Sequence, residues 1–373
     1  MQRAQTELII KDLAAKMVFV AGPRQVGKTF LAKQIAATFK NPIYLNYDNI
    51  NDRQIISEQS WLPTSDLVIF DELHKMADWK NYLKGVFDTK PSSLSILVTG
   101  SARLDIFNHM GDSLAGRFYL HRLLPLSVSE LIKLKMPYTI EALIDKGGFP
   151  EPFLAENLTE SNRWRLQYVN SLLATDVFEF DKVQNIKALK TIFEMLRTKV
   201  GSPVSYQSLA EDIAISPTTV KKYIQILEAL YVIFSIKPYS NNIARSLLKE
   251  PKIYFFDNGL VKGDEGAKLE NLVAVSLLKH VYGKIDYEAE NYQLNYLRTK
   301  DKLEVDFALV KDDQIEKIIE VKNSAKELSK ALHWFAQKYD LPAIQVVRHL
   351  RQEKMCDGIQ IIKVESFLEQ LFL

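Results

Sequence analysis

Met17-Val18-Phe19-Val20-Ala21-Gly22-Pro23-Arg24-Gln25-Val26-Gly27-Lys28-Thr29 decides the fold of the first part of the chain. Five apolar residues read as a buried strand, and Phe30–Phe39 follows at helical spacing. Between them, Gly22, Pro23, Arg24, Gln25, Val26, Gly27, Lys28 and Thr29 fit G-x-x-x-x-G-K-[ST] in full. Successive backbone N–H groups of such a loop surround phosphates, and the helix N-terminus adds a favourable dipole at the same place. Lys28 is expected to reach the β and γ phosphates of a nucleoside triphosphate, and Thr29 to ligate Mg²⁺ through its hydroxyl.

The stretches around the loop extend the pattern. Ile43–Tyr47, Leu67–Phe70, Ile96–Val98 and Phe118–Leu124 are further short apolar runs, separated by amphipathic segments. Strands alternating with helices imply an α/β fold with a parallel sheet wrapped by helices. The run at Leu67 ends in Asp71-Glu72. Asp71 is expected beside Thr29, holding the metal. Glu72 is placed to orient and deprotonate an attacking water, and the bland alternative is a helix cap. The run at Ile96 ends in Thr99-Gly100-Ser101, which puts Thr99 and Ser101 at the carboxyl edge of the sheet, where ligands bind in open α/β folds. Arg103 and Arg117 are the candidates to meet γ-phosphate charge, from the same or a neighbouring chain.

These segments together resemble the AAA-type ATPases of bacteria and archaea that carry a C-terminal domain of unknown function. The matching residues are Gly22–Thr29, Ile69–Lys75, Leu97–Leu104, Leu114–Arg117, Leu124–Glu130 and Gly147–Pro152. The resemblance implies an ATPase core over residues 1–130, a helical lid over 131–185, and ATP as the nucleotide.

Ile186–Thr198, Ser205–Ala214 and Thr218–Leu230 read as three helices, with Ser216 an N-cap and Pro217 at the first helical position. Val232–Tyr239 then alternates like a strand. This is the outline of a winged helix-turn-helix, assigned to residues 186–245, whose third helix would present Thr218, Thr219, Lys221 and Lys222 to DNA.

Leu303–Val310 and Ile315–Val321 read as a hairpin about Lys311–Gln314. Pairing about that turn sets Asp306 nearly opposite Glu320, and Glu320 shares a face with Lys322. A helix over Lys268–Tyr282 carries Glu270 near its start. Helix, hairpin, Asp306 and Glu320-Val321-Lys322 resemble the PD-(D/E)XK nucleases, giving a nuclease-like α/β domain over 246–373. That resemblance makes Glu270, Asp306, Glu320 and Lys322 catalytic candidates, with Asp306 and Glu320 as metal ligands. An ordinary cross-strand ion pair explains the same residues. Asp257 reads as a turn or helix cap.

Bulk composition narrows the rest. The chain has 373 residues, 48 Lys+Arg and 46 Asp+Glu, so its near-neutral total does not advertise nucleic acid. One cysteine excludes an internal disulfide framework, and the six histidines show no ligand spacing. No apolar run approaches ~20 residues, and the start has no signal-peptide character, which points to a cytoplasmic protein without a membrane partner. The leading expectation is an ATP-hydrolysing enzyme that couples ATP to binding or cleavage of DNA. The alternatives are a signalling switch with an idle nuclease-like platform for a protein partner, and a DNA-binding regulator whose homo-oligomeric state follows ATP.

Overall fold

The computed structural model describes residues 3–100, 114–176, 185–240, 250–324 and 327–372. Ser101 and Arg103 therefore lie outside the described residues. The chain divides into two compact units, Met1–Leu124 and Pro125–Leu373.

The first unit is built on five parallel strands: β1 (Met17–Ala21), β2 (Pro42–Asn46), β3 (Leu67–Asp71), β4 (Ser95–Gly100) and β5 (Phe118–Arg122). They lie in the order β2-β3-β4-β1-β5. Residues of β1 and β3 are buried throughout, as expected of strands covered on both faces. Phe19, Val68, Phe70, Ile96 and Val98 form one core with Trp79, Leu83 and Val86 of the helix Trp79–Thr89. Because the strands are parallel, their carboxyl ends share one edge. That edge carries the Gly22 loop, Asp71 and Thr99 together.

The second unit holds an eight-stranded mixed sheet. Its strands are β6 (Ile233–Pro238), β7 (Lys252–Phe255), β8 (Tyr292–Arg298), β9 (Glu304–Lys311), β10 (Gln314–Lys322), β11 (Ala343–Val347), β12 (Lys354–Cys356) and β13 (Ile359–Lys363). The order is β12-β13-β11-β10-β9-β8-β6-β7. The turn of the β9–β10 hairpin places both Asp312 and Asp313 at positive φ, 48° and 63°, as a two-residue turn matched to strand twist requires. The helix expected over 268–282 runs from Glu265 to Glu288. Asp264 caps it by accepting from the Ala267 N–H, so it starts three residues earlier than hydrophobic spacing alone suggests.

The helices Ile186–Arg197, Tyr206–Ile213 and Pro217–Ala229 form with Ser216 as an N-cap, accepting from the Thr219 N–H. The strand after them does not stand apart from the strands that follow. β6 pairs antiparallel with β7 and parallel with β8, so it belongs to the large sheet. Its backbone needs partners, and β7 and β8 supply them. Deeper in this unit the Lys279 ammonium and the Glu130 carboxylate form an almost fully buried ion pair. Arg165 does the same with Asp257, at 2.6 Å. Asp257 also accepts from the Gly259 N–H, so it acts as a cap and a charge partner. Among the described residues no helix is long and apolar enough to cross a membrane.

Candidate functional site

The loop after β1 is held tightly before any ligand enters. A Cβ on Gly22 would lie 2.1 Å from the Leu123 carbonyl oxygen, so only glycine lets this turn approach the strand-end segment. Gly27 sits at φ 102° and opens the helix Lys28–Ala36. Val26 is buried, and its carbonyl accepts from Arg3 at 2.8 Å. Arg3 also donates to the Leu124 carbonyl at 2.6 Å. One buried guanidinium thus ties the loop to the segment after β5. Composition and spacing gave no signal for Arg3, which lies before the first strand.

Lys28 is buried and curls over its own loop, donating to the carbonyls of Gly22 at 2.9 Å and Pro23 at 2.6 Å. Burial draws its ammonium down to about 8, partly offset by Glu72 and Asp71. Those carbonyls are neutral partners, so an anionic phosphate would be a better one.

Asp71 is fixed by hydroxyls on three elements. The Thr29 hydroxyl donates to it at 2.9 Å and the Thr99 hydroxyl at 2.5 Å. The Tyr44 hydroxyl of β2 donates to the same oxygen as Thr29. A hydroxyl and a carboxylate side by side are the hard oxygen donors that Mg²⁺ takes. Tyr44 was not foreseen, although its place on a neighbouring parallel strand at the carboxyl edge is the kind of position that faces a ligand.

Glu72 follows at φ 56°, a left-handed conformation uncommon for such a residue. Non-glycine residues in this region cluster at functional sites. Glu72 precedes the short turn of helix Leu73–Lys75 without making a side-chain cap. Its Oε2 is buried and has no hydrogen-bond partner among the described residues, with His74 Nε2 at 3.6 Å. Burial raises its carboxyl above the ordinary value, and Lys28 opposes the rise.

Arg117 is placed differently from the expectation. Its carbonyl accepts from the Met17 N–H, at the start of β1 and not at its phosphate end. β5 runs parallel to β1, so the residue before β5 lies at the opposite sheet edge, roughly 16 Å from Gly22 for a five-residue strand. There its guanidinium grips Asp88 through two hydrogen bonds, at 2.8 and 3.0 Å. Within its own chain it does not face the loop.

The second constellation does assemble. The β9–β10 register passes through Ile319↔Phe307, one step from Glu320 and Asp306. The Val321 N–H donates to Asp306 at 2.9 Å. Lys322 pairs with Glu320 at 2.7 Å. At the centre stands Lys252 of β7, to which the sequence assigns no role. Its buried ammonium lies 2.8 Å from Glu304, 3.3 Å from Asp306 and 3.4 Å from Glu270. Burial alone would lower the Lys252 ammonium, but Glu270, Asp306 and Glu304 outweigh it and hold it above its usual value. The Tyr254 hydroxyl, on the same face of β7, donates to Glu270 at 2.7 Å. Gly201, at φ 77°, roofs this carboxylate: a Cβ there would lie 2.7 Å from it. The period-two spacing of Lys252 and Tyr254 was the available signal.

Burial and the neighbouring Asp306 push the Glu270 carboxyl up to about 8, with Lys252 and Tyr254 opposing. A carboxyl raised on folding stabilises the fold fully below the unfolded-chain value and loses that contribution as pH rises through the folded value. In urea titrations the wild type is expected to lose stability relative to Glu270→Gln as pH rises from the ordinary 4.5 to about 8. A pH-independent difference would show that Glu270 is ionised throughout.

Residues 14–132 match the AAA domain family. Residues 138–266 and 265–367 match two families described as domains of unknown function, DUF8612 and DUF4143. An uncharacterized protein of Mycobacterium tuberculosis is 26% identical over 248 residues, which cover 66% of this chain and 55% of that protein. The match thus spans about half the length of the mycobacterial relative. An uncharacterized protein of Haemophilus influenzae is 26% identical over 94% of each chain. The Walker-type ATPase of Pyrococcus abyssi is similar over 69% of this chain and 93% of that one, at 13% identity and a TM-score of 0.44.

Proposed function

We propose that the chain, whose residues 14–132 carry an AAA-type P-loop ATPase domain, binds ATP with Mg²⁺ at Gly22–Thr29 and hydrolyses it. One observation carries this reading: Asp71 is fixed by three hydroxyls, and next to it Glu72 keeps a buried oxygen that no described protein group satisfies. Lys28 exchanges the Gly22 and Pro23 carbonyls for phosphate oxygens. Thr29 and Asp71 hold the metal, and Thr99 and Tyr44 keep Asp71 in place. Glu72 orients the attacking water and accepts its proton. Magnesium held by Thr29 and Asp71 would supply positive charge to offset the charge that develops on the phosphates. The location is the cytoplasm, in keeping with one cysteine in the sequence.

In the same reading, ATP turnover gates a contact between the second unit and nucleic acid. Helical lid, winged helix and nuclease-like domain, over 131–185, 186–245 and 246–373, are the partition it assumes. The support is the helix Pro217–Ala229, which buries Val220, Tyr223, Ile224 and Leu227 and leaves Thr218, Lys221 and Lys222 exposed beside a capped turn. Metal-dependent cleavage at Glu270, Asp306, Glu320 and Lys322 is the weaker part, because Lys252 already stands among those acids. The same lysine favours the second reading, a nucleotide switch with an idle nuclease-like platform for a protein partner. DNA added to the wild type is expected to raise its ATPase rate, and Lys221→Glu with Lys222→Glu to remove the rise. An ATPase rate indifferent to DNA and RNA, with no binding in an anisotropy titration, would leave only the switch.

A further inference from the structure

We infer that Lys252 is a built-in counter-cation of the pocket formed by Glu270, Glu304 and Asp306, and that it keeps divalent metal out of that pocket in the native chain.

The geometry carries the inference. One ammonium sits 2.8 to 3.4 Å from three carboxylates drawn from the long helix and from β9. A lysine ammonium has three protons to donate, and here it meets three acids. Its position is not that of a loose surface side chain. Lys252 is 1% exposed, its backbone pairs with Ile236 of β6, and Pro203 bridges to it from the other side. The Tyr296 ring lies 5.5 Å from its Nζ.

Asp306 is committed through both oxygens, whereas Glu320 keeps a buried Oε2 with no hydrogen-bond partner among the described residues. The second oxygen of Asp306 accepts from the Val321 N–H. The Glu270 oxygen facing Lys252 also accepts from Tyr254. One Glu320 oxygen takes Lys322 and Ser329. A dication sharing Asp306 with Lys252 would stand within a few ångströms of a buried like charge, where the interaction is only weakly screened. The residues present therefore do not fit the metal that the nuclease resemblance implies, and the misfit has a named cause.

The consequence is a latent site. Removing the ammonium leaves Glu270, Glu304 and Asp306 converging, with only the Arg298 guanidinium at their edge, 3.7 Å from the far oxygen of Glu304, a set of hard oxygen donors that divalent metal takes readily. The inference is independent of whether the second unit touches nucleic acid, and its test uses neither nucleic acid nor nucleotide.

Mn²⁺ uptake by the nucleotide-free full chain, read from the loss of the free-ion electron paramagnetic resonance signal, decides it. Four chains are compared: wild type, Asp306→Asn, Lys252→Met, and Lys252→Met with Asp306→Asn. Wild type and Asp306→Asn are expected to take up equal Mn²⁺. Lys252→Met is expected to bind one further ion per chain, and the double variant to lose it. Wild-type uptake that falls in Asp306→Asn overturns the inference, since the pocket would then hold metal in the native chain. A folded Lys252→Met chain that gains no Mn²⁺ overturns it as well. If Lys252→Met does not fold, the comparison of wild type with Asp306→Asn decides alone, by the same two outcomes.

Discussion

Replacing Glu72 by glutamine is expected to slow ATP hydrolysis by roughly 10²- to 10⁴-fold while nucleotide binding stays near wild type, because the loss is that of a general base. Glutamine keeps the size and the hydrogen-bonding capacity of the side chain but cannot accept a proton. The fold around it should persist. The Glu72 side chain makes no cap, its backbone N–H is held by the Thr99 carbonyl at 3.0 Å, and its Oε2 has no hydrogen-bond partner among the described residues to lose. The raised carboxyl, caused first by burial, moves Glu72 towards the range in which a base works well near neutral pH. Phosphate release and a fluorescent-nucleotide titration, run on the same preparation, separate the two effects. Unchanged turnover would return Glu72 to the role of a turn residue.

Lys28→Ala is expected to weaken Mg²⁺-ATP binding by about ten- to a hundredfold, the usual worth of a hydrogen bond to a charged group. This ammonium donates to two carbonyls of its own loop. Those carbonyls belong to Gly22 and Pro23, so removing the lysine leaves the backbone path of the loop supported by Arg3. The variant should therefore unfold near the wild-type temperature and differ in affinity. A large drop in thermal stability without ligand would mean that the loop, and not the phosphate contact, is what the substitution breaks.

The parts of both sites that sequence made legible are those whose signal is local. A strand, the full Gly22–Thr29 pattern and a helix announce a phosphate cradle. The Asp71-Glu72 pair ends an apolar run, and the hairpin turn at Asp312-Asp313 sets the register that brings Asp306 near Glu320. The parts that stayed hidden depend on which distant elements become neighbours. Tyr44 reaches Asp71 only because β2 pairs with β3. Arg3 reaches Val26 across the first helix and strand. Lys252 has no role assigned by its local sequence, yet it becomes the centre of an acid pocket once β7, β9 and the long helix converge. Arg117 shows the reverse case: an arginine in a suggestive four-residue segment, placed within its own chain at the sheet edge opposite the loop by parallel strand direction. The strand β6, read as the last strand of the 186–245 module, also pairs with β7 and β8 of the large sheet, which no local pattern announces.

If Gly22–Thr29 is a working ATP site, purified wild type releases phosphate from ATP only with Mg²⁺, and Lys28→Ala assayed beside it releases none. Equal turnover by the two chains would mean that hydrolysis does not depend on this loop.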